Sequence, residues 1–155
     1  MKVSSKSTAV SDIGILLTTR SAEKAGDAAL GLPVMLLPLH ERSLLQRAVE
    51  HLVRSGCRHI HVALGDDATS IKDFLQTGER WGCQIRYHYI DPQESLGRFV
   101  RRLELDPEHL YWLADALQVP LESLPALADP AEGAGQSLCW SDSTQQRWAG
   151  WGLYT

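Results

Sequence analysis

No stretch of this 155-residue chain approaches the roughly 20 apolar residues that a membrane-crossing helix requires, so no membrane span is expected. The opening, MKVSSKSTAVSD, has no continuous apolar run before Asp12 and therefore lacks the core of a secretory signal. Cysteine is scarce. Cys57, Cys83 and Cys139 are odd in number and stand in neither CxxC nor CxxxC spacing, which argues against a disulfide framework or a thiolate zinc site and for three packed, reduced thiols. These absences predict a cytoplasmic protein. Positive charge is also short: 15 Lys and Arg face 19 Asp and Glu, a net charge of −4, so no global positive field is there to drive nucleic-acid binding through counterion release. Internal repeats and low-complexity tracts are absent as well.

What remains is an ordinary globular composition. Hydrophobic residues make up 44% and charged residues 22%, which excludes disordered and coiled-coil classes, and the length suits one domain with one core. Residues 1–12 are polar and Ser-rich and read as a flexible arm, with a single domain over 13–155. Ile13 to Thr18 is a short, continuous apolar run, the pattern of a strand covered on both faces. A loop follows from Arg20 to Pro33. Ser43 is placed to cap a helix in which Leu44, Leu45, Ala48, Val49, Leu52 and Val53 recur at helical spacing until Ser55-Gly56. His59–Leu64 is a second strand, and Asp66 or Asp67 is placed to cap a helix that carries Ile71, Phe74 and Leu75 and stops near Gly78. A third strand spans Gln84 to Ile90, a helix runs from about Ser95 to Leu103, and Leu110 to Leu113 is a fourth strand running into Ala114–Leu117. Pro120, Pro125 and Pro130 break the following segment into short turns, and Gln136–Trp140 and Trp148–Tyr154 read as two closing strands. Strand and helix alternate, so the expected fold class is α/β: a three-layer sandwich around a mainly parallel, Rossmann-like sheet.

Ligands of open parallel sheets bind at the carboxyl ends of the strands, where loops and helix starts converge. Four places satisfy that rule: the loop after Leu17, the Gly65-Asp66-Asp67 turn, the Asp91–Gly97 loop and Asp115.

In order along the chain, Ile15-Leu16-Leu17-Thr18-Thr19-Arg20, Leu36-Leu37-Pro38-Leu39 with the helix after it, Trp81 to Tyr87, Leu96-Gly97 and Leu110 to Leu117 resemble the nucleotide-binding half of sugar-nucleotide pyrophosphorylases, nucleotidyltransferases with a glycosyltransferase-A-like fold. The resemblance covers about Ile13 to Leu117. It implies that Thr18, Thr19 and Arg20 line a nucleotide site, that Arg20 and Lys24 neutralise a triphosphate, that Gly97 passes close to a nucleobase, and that Asp115 holds Mg²⁺. It also implies damage. The glycines that would precede Thr19-Arg20 are missing, Val34 occupies the position of a phosphate-binding lysine, and the segment carrying a second metal-binding aspartate is expected to be absent or drastically shortened.

Each candidate also has a plainer reading. Arg20 and Lys24 are otherwise solvated loop charges, Asp115 a turn residue, Gly97 a helix-start residue, and Asp66 or Asp67 a helix cap. His59 and His61 share one strand face without a third ligand and read as packing or surface residues. Arg98, Arg101 and Arg102 form either a solvated helix face or a site for an anion or acidic partner. Trp140, Trp148, Trp151 and Tyr154 either close the core or make a protein interface. The resemblance implies a largely non-catalytic nucleotidyltransferase-like domain acting as a regulatory or scaffold subunit, with polysaccharide or nucleotide-sugar metabolism as its setting. Its partners would be a nucleoside triphosphate or nucleotide-sugar and a protein or second copy. A minimal Mg²⁺-dependent enzyme, active through Arg20, Lys24 and Asp115, is the second reading, and an interaction module using the Trp-rich end is the third.

Overall fold

The computed structural model describes residues 10–19, 32–106, 109–118, 138–141 and 148–154. In chain order the strands are β1 (Val10–Leu17), β2 (Pro38–Leu39), β3 (Arg42–Ser43), β4 (His59–Leu64), β5 (Gln84–Tyr89), β6 (Leu110–Asp115), β7 (Leu138–Ser141) and β8 (Trp148–Tyr154), and the α-helices are α1 (Leu44–Arg54), α2 (Ala68–Leu75) and α3 (Leu96–Arg102). Six strands form one sheet in the order β5-β4-β1-β6-β8-β7. The first four are parallel, as their apolar runs require, and β8 and β7 extend the sheet in antiparallel fashion. The expected three-layer α/β arrangement is therefore present, with the tail as a hairpin on one edge.

Strand parity sorts the side chains between two layers. Leu16, Ile60, Val62, Leu64, Leu110, Trp112 and Ala114 point to the layer formed by α1 and α2, while Ile15, Leu17, Ala63 and Leu113 meet Phe99 of α3. Helix α1 begins as its sequence dictates, with the Ser43 hydroxyl accepting from the Gln46 N–H at 3.1 Å, and it buries Leu45, Ala48, Val49 and Leu52. It also comes close to β1. A Cβ on Gly14 would lie 3.1 Å from Cys57 Sγ and 3.2 Å from Leu52 Cδ2, so the glycine inside this apolar strand is where helix and sheet touch.

Three details depart from expectation. Strand β1 starts at Val10 rather than Ile13, because Val10 pairs with Leu110 of β6. The β2–β3 ribbon turns at His40 and Glu41, whose φ angles of 50° and 71° occupy the left-handed region that glycine or asparagine would signal. Asp67 stands at the start of α2 without a side-chain cap hydrogen bond, and Asp66 is exposed, so neither carboxylate caps that helix.

Candidate functional site

Helices α1 and α2 link β1, β4 and β5 on one side of the sheet, whereas α3 carries the chain from β5 back across to β6. Strand order therefore reverses at β1, and the crevice at its carboxyl end, between β1 and β6, is where an open α/β sheet receives a ligand. Leu17 pairs with Asp115 there, and the Ala116 N–H donates to Leu17 O at 3.0 Å. Thr18, Thr19 and Asp115 are thus brought to adjacent strand ends, about 5 Å apart by sheet geometry. Gly65, at the end of β4, completes the rim: a Cβ on it would stand 3.4 Å from Thr19 Cα.

The roles of these residues differ from the simplest version of the sequence reading. Thr18 is 3% exposed, and both its hydroxyl and its N–H donate to Ala63 O, at 2.6 and 3.1 Å. Its side chain is an anchor that fixes where the chain leaves the sheet. Thr19 is half-buried beside Gly65. Asp115 is 1% exposed, with Oδ1 accepting from the Leu117 N–H at 2.9 Å, so one carboxylate oxygen closes the turn after β6. The plain reading of Asp115 as a turn residue is thus present, at a position that also faces the candidate cleft.

Gly97 lies in the first turn of α3, behind Ser95, whose hydroxyl accepts from the Arg98 N–H at 3.3 Å. Among the described residues, nothing lies within 4 Å of where its Cβ would be. Packing against the described residues therefore gives no reason for a glycine at this position. Arg20 and Lys24, the two expected triphosphate cations, lie outside the described residues. Val34, which replaces the lysine implied by the family resemblance, sits half-buried in a short 3₁₀ turn, Val34–Leu36.

The described residues do not by themselves make a self-sufficient Mg²⁺ site. A hard cation takes about six oxygen ligands. Asp115 has one oxygen committed to the Leu117 amide, and among the described residues no group of three or more His, Cys, Asp and Glu side chains is placed to hold a metal.

Arg102, Trp151 and His61 have partners within the fold. Arg102 donates to both Glu94 carboxylate oxygens, at 3.2 and 3.0 Å, and to Tyr89 O at 3.0 Å, while Arg98 and Arg101 are exposed on the helix. Trp151 is buried in the core, edge-on to His51 at 5.9 Å, with its indole N–H donating to Gln118 O. It closes the core instead of offering an interface. Trp140, Trp148 and Tyr154 fall in β7 and β8, but their side chains lie outside what is described. His61 is buried and bonded to His88 of β5, a partner that no spacing rule linked to it. The signal was present only as inward-facing histidines at similar depth in two strands that turn out to be neighbours.

No protein-family model matches the sequence, and no curated protein matches it. Solved structures do match its shape. A protein from Bacillus anthracis assigned as a glucose-1-phosphate thymidylyltransferase, in complex with a sucrose, superposes with a TM-score of 0.69 at 13% identity, over 92% of this chain and 71% of its own. The inositol-1-phosphate CTP transferase from T. maritima gives 0.66 at 9% identity, over 96% and 72%. A UDP-glucose pyrophosphorylase complexed with UDP-glucose gives 0.54 at 15% identity, over 86% of this chain and 49% of its own, so this chain spans about half that enzyme's length. At such identities the likeness establishes the fold, which is nucleotidyltransferase-like.

Proposed function

We propose, from a nucleotidyltransferase-like fold as premise, that this chain is a largely non-catalytic domain serving as a regulatory or scaffold subunit. It would receive a nucleoside triphosphate or nucleotide-sugar at the carboxyl ends of β1 and β6, in polysaccharide or nucleotide-sugar metabolism in the cytoplasm. The observation that carries this reading is the state of Asp115: buried to 1% exposure, with Oδ1 bound to the Leu117 amide 2.9 Å away. Transfer between phosphates is catalysed almost wholly by positioning and charge neutralisation. A carboxylate engaged in holding its own turn, a Thr18 hydroxyl engaged on Ala63 and an uncharged Val34 leave little of that apparatus among the described residues. Gly97 supports retained ligand binding, since its missing side chain serves no neighbour among the described residues.

The location of Asp115 at the switch point favours a second reading, a minimal Mg²⁺-dependent enzyme that joins a nucleoside triphosphate to a sugar phosphate with Arg20 and Lys24 on the triphosphate. Pyrophosphate release separates the two. The protein is incubated with Mg²⁺, each common nucleoside triphosphate and a panel of sugar 1-phosphates. The scaffold reading expects binding by calorimetry without pyrophosphate. Sustained release that Asp115→Asn abolishes, at unchanged melting temperature, would establish the enzyme instead.

A further inference from the structure

The face of the sheet beneath α3 carries a pair of histidines that nucleotide binding leaves unused. His61 Nδ1 lies 2.9 Å from His88 Nε2, and the ring centroids are 5.0 Å apart with 22° between their planes. In that contact one imidazole donates its N–H and the other accepts through a lone pair. Two imidazolium rings would set N–H against N–H with no acceptor between them. His61 is 7% exposed, and the Phe99 ring of α3 stands edge-on to His88 with centroids 6.0 Å apart.

Among the described residues, the charges bearing on the pair are cationic. They are His59 from β4, Arg86 from β5 and Arg102 from α3, while β1 contributes the apolar Ile15 and Leu17. Among the described residues no carboxylate contributes to holding either ring charged, and Glu94 is committed to Arg102 at 3.0 Å. Burial first, then the facing His88 ring, Arg86 and His59, push His61 down to about 4, and burial, Arg102 and Arg86 hold His88 below its ordinary value.

The helix above is held lightly. Of its seven residues only Phe99 is fully buried, with Leu96 and Val100 partly so, against four buried side chains in α1. An element with so few buried contacts opens locally at less cost than the whole fold.

We infer that the His61–His88 pair is an acid-sensitive latch: α3 and its leading Asp91–Ser95 loop stay on the sheet while the two rings share an N–H···N bond, and lift off together when both rings become imidazolium. Lifting removes Phe99 from Ile15, Leu17, Ala63 and Leu113. It also reaches the candidate site, because His88, Ala63, Leu17 and Asp115 form one row across the sheet and Gly97 travels with the helix.

Amide hydrogen exchange on the full chain, corrected for intrinsic rates, tests the latch at pH 7.5 and pH 4.0. Protection over Leu96–Leu103 should fall by more than about tenfold relative to Leu44–Arg54 on acidification, and His88→Gln, which cannot form the dication, should reduce that difference to about threefold or less. Equal loss in both helices, or unchanged protection in α3, overturns the proposal. If the variant does not fold, ring-proton NMR of the unmodified protein decides. Protonation of His61 and His88 should coincide with loss of the Phe99 contacts. Ordinary titration of both rings with α3 still docked overturns it.

Discussion

One face of the sheet receives Leu45, Ala48, Val49 and Leu52 from α1 and Ala68, Ile71 and Leu75 from α2, whereas the other receives a single fully buried side chain, Phe99, from α3. The polar groups divide the same way. His61 and His88 lie on the α3 side of the sheet, and Asp115, two residues beyond Leu113, follows it to that side by strand parity. The first face is packed for stability. Among the described residues the second takes fewer buried helix side chains, and it carries His61, His88 and Asp115 and borders the candidate cleft. A nucleotidyltransferase-like sheet can therefore keep its fold through α1 and α2 while the chemistry on the α3 side changes.

The largest expected effect breaks the heavily packed face. Leu52→Ala should cost about 4 kcal/mol of global stability, because Leu52 is fully buried against β1 and its removal leaves a cavity. Phe99→Ala should cost about 2 kcal/mol, the loss being bounded by what α3 contributes when docked. Urea unfolding of both variants checks the ranking, and a larger loss for Phe99→Ala would reverse the comparison.

The next effect is on pH. With folded pKa values lowered, the histidine pair binds fewer protons than the unfolded chain in acid, so stability is complete above the ordinary histidine value of 6.5 and falls as pH drops toward about 4. His61 alone accounts for a decline of about 3 kcal/mol over that window. Urea midpoints at stepped pH values in unmodified protein and in His61→Gln should show the slope shrinking in the variant.

Gly78→Ala should destabilise by about 2 to 3 kcal/mol, because Gly78 has φ of 87° and an added Cβ would lie 2.8 Å from Cys83 O. Thermal melting is sufficient to measure it.

Gly97→Ala has the smallest expected effect and the opposite sign. It should stabilise by about 0.5 to 1 kcal/mol, since an exposed helical glycine with open space around its Cβ position gains from alanine. The same change should weaken nucleotide binding. Stabilisation without a loss of affinity would make Gly97 a helix-start residue and nothing more.

Much of this was legible in the residues. Runs such as His59–Leu64 declare strands because both faces are covered, and Ser43 with its downstream spacing declares α1. The placement of Asp115 at a carboxyl strand end beside β1 was legible, which is what made it a candidate by the rule that such ends collect ligands. The β2–β3 turn was not, because His40 and Glu41 take left-handed angles without the residues that advertise them. Trp151 could not be assigned to core or surface before the register Ala114–Trp151 placed it behind β6. The fate of the Thr18 hydroxyl and the His61–His88 bond depend on which strands lie side by side, which local periodicity does not carry.

The central claim is that the crevice between β1 and β6 still receives a nucleotide while no longer reacting it. Backbone amide NMR during titration with a nucleoside triphosphate and Mg²⁺, with phosphorus spectra recorded on the same sample, tests it most directly. The account predicts saturable shifts at Thr19, Gly65, Gly97 and Ala116 with the triphosphate left intact when a sugar 1-phosphate is added. Shifts confined to other parts of the chain, or conversion to pyrophosphate and a nucleotide-sugar, would contradict it.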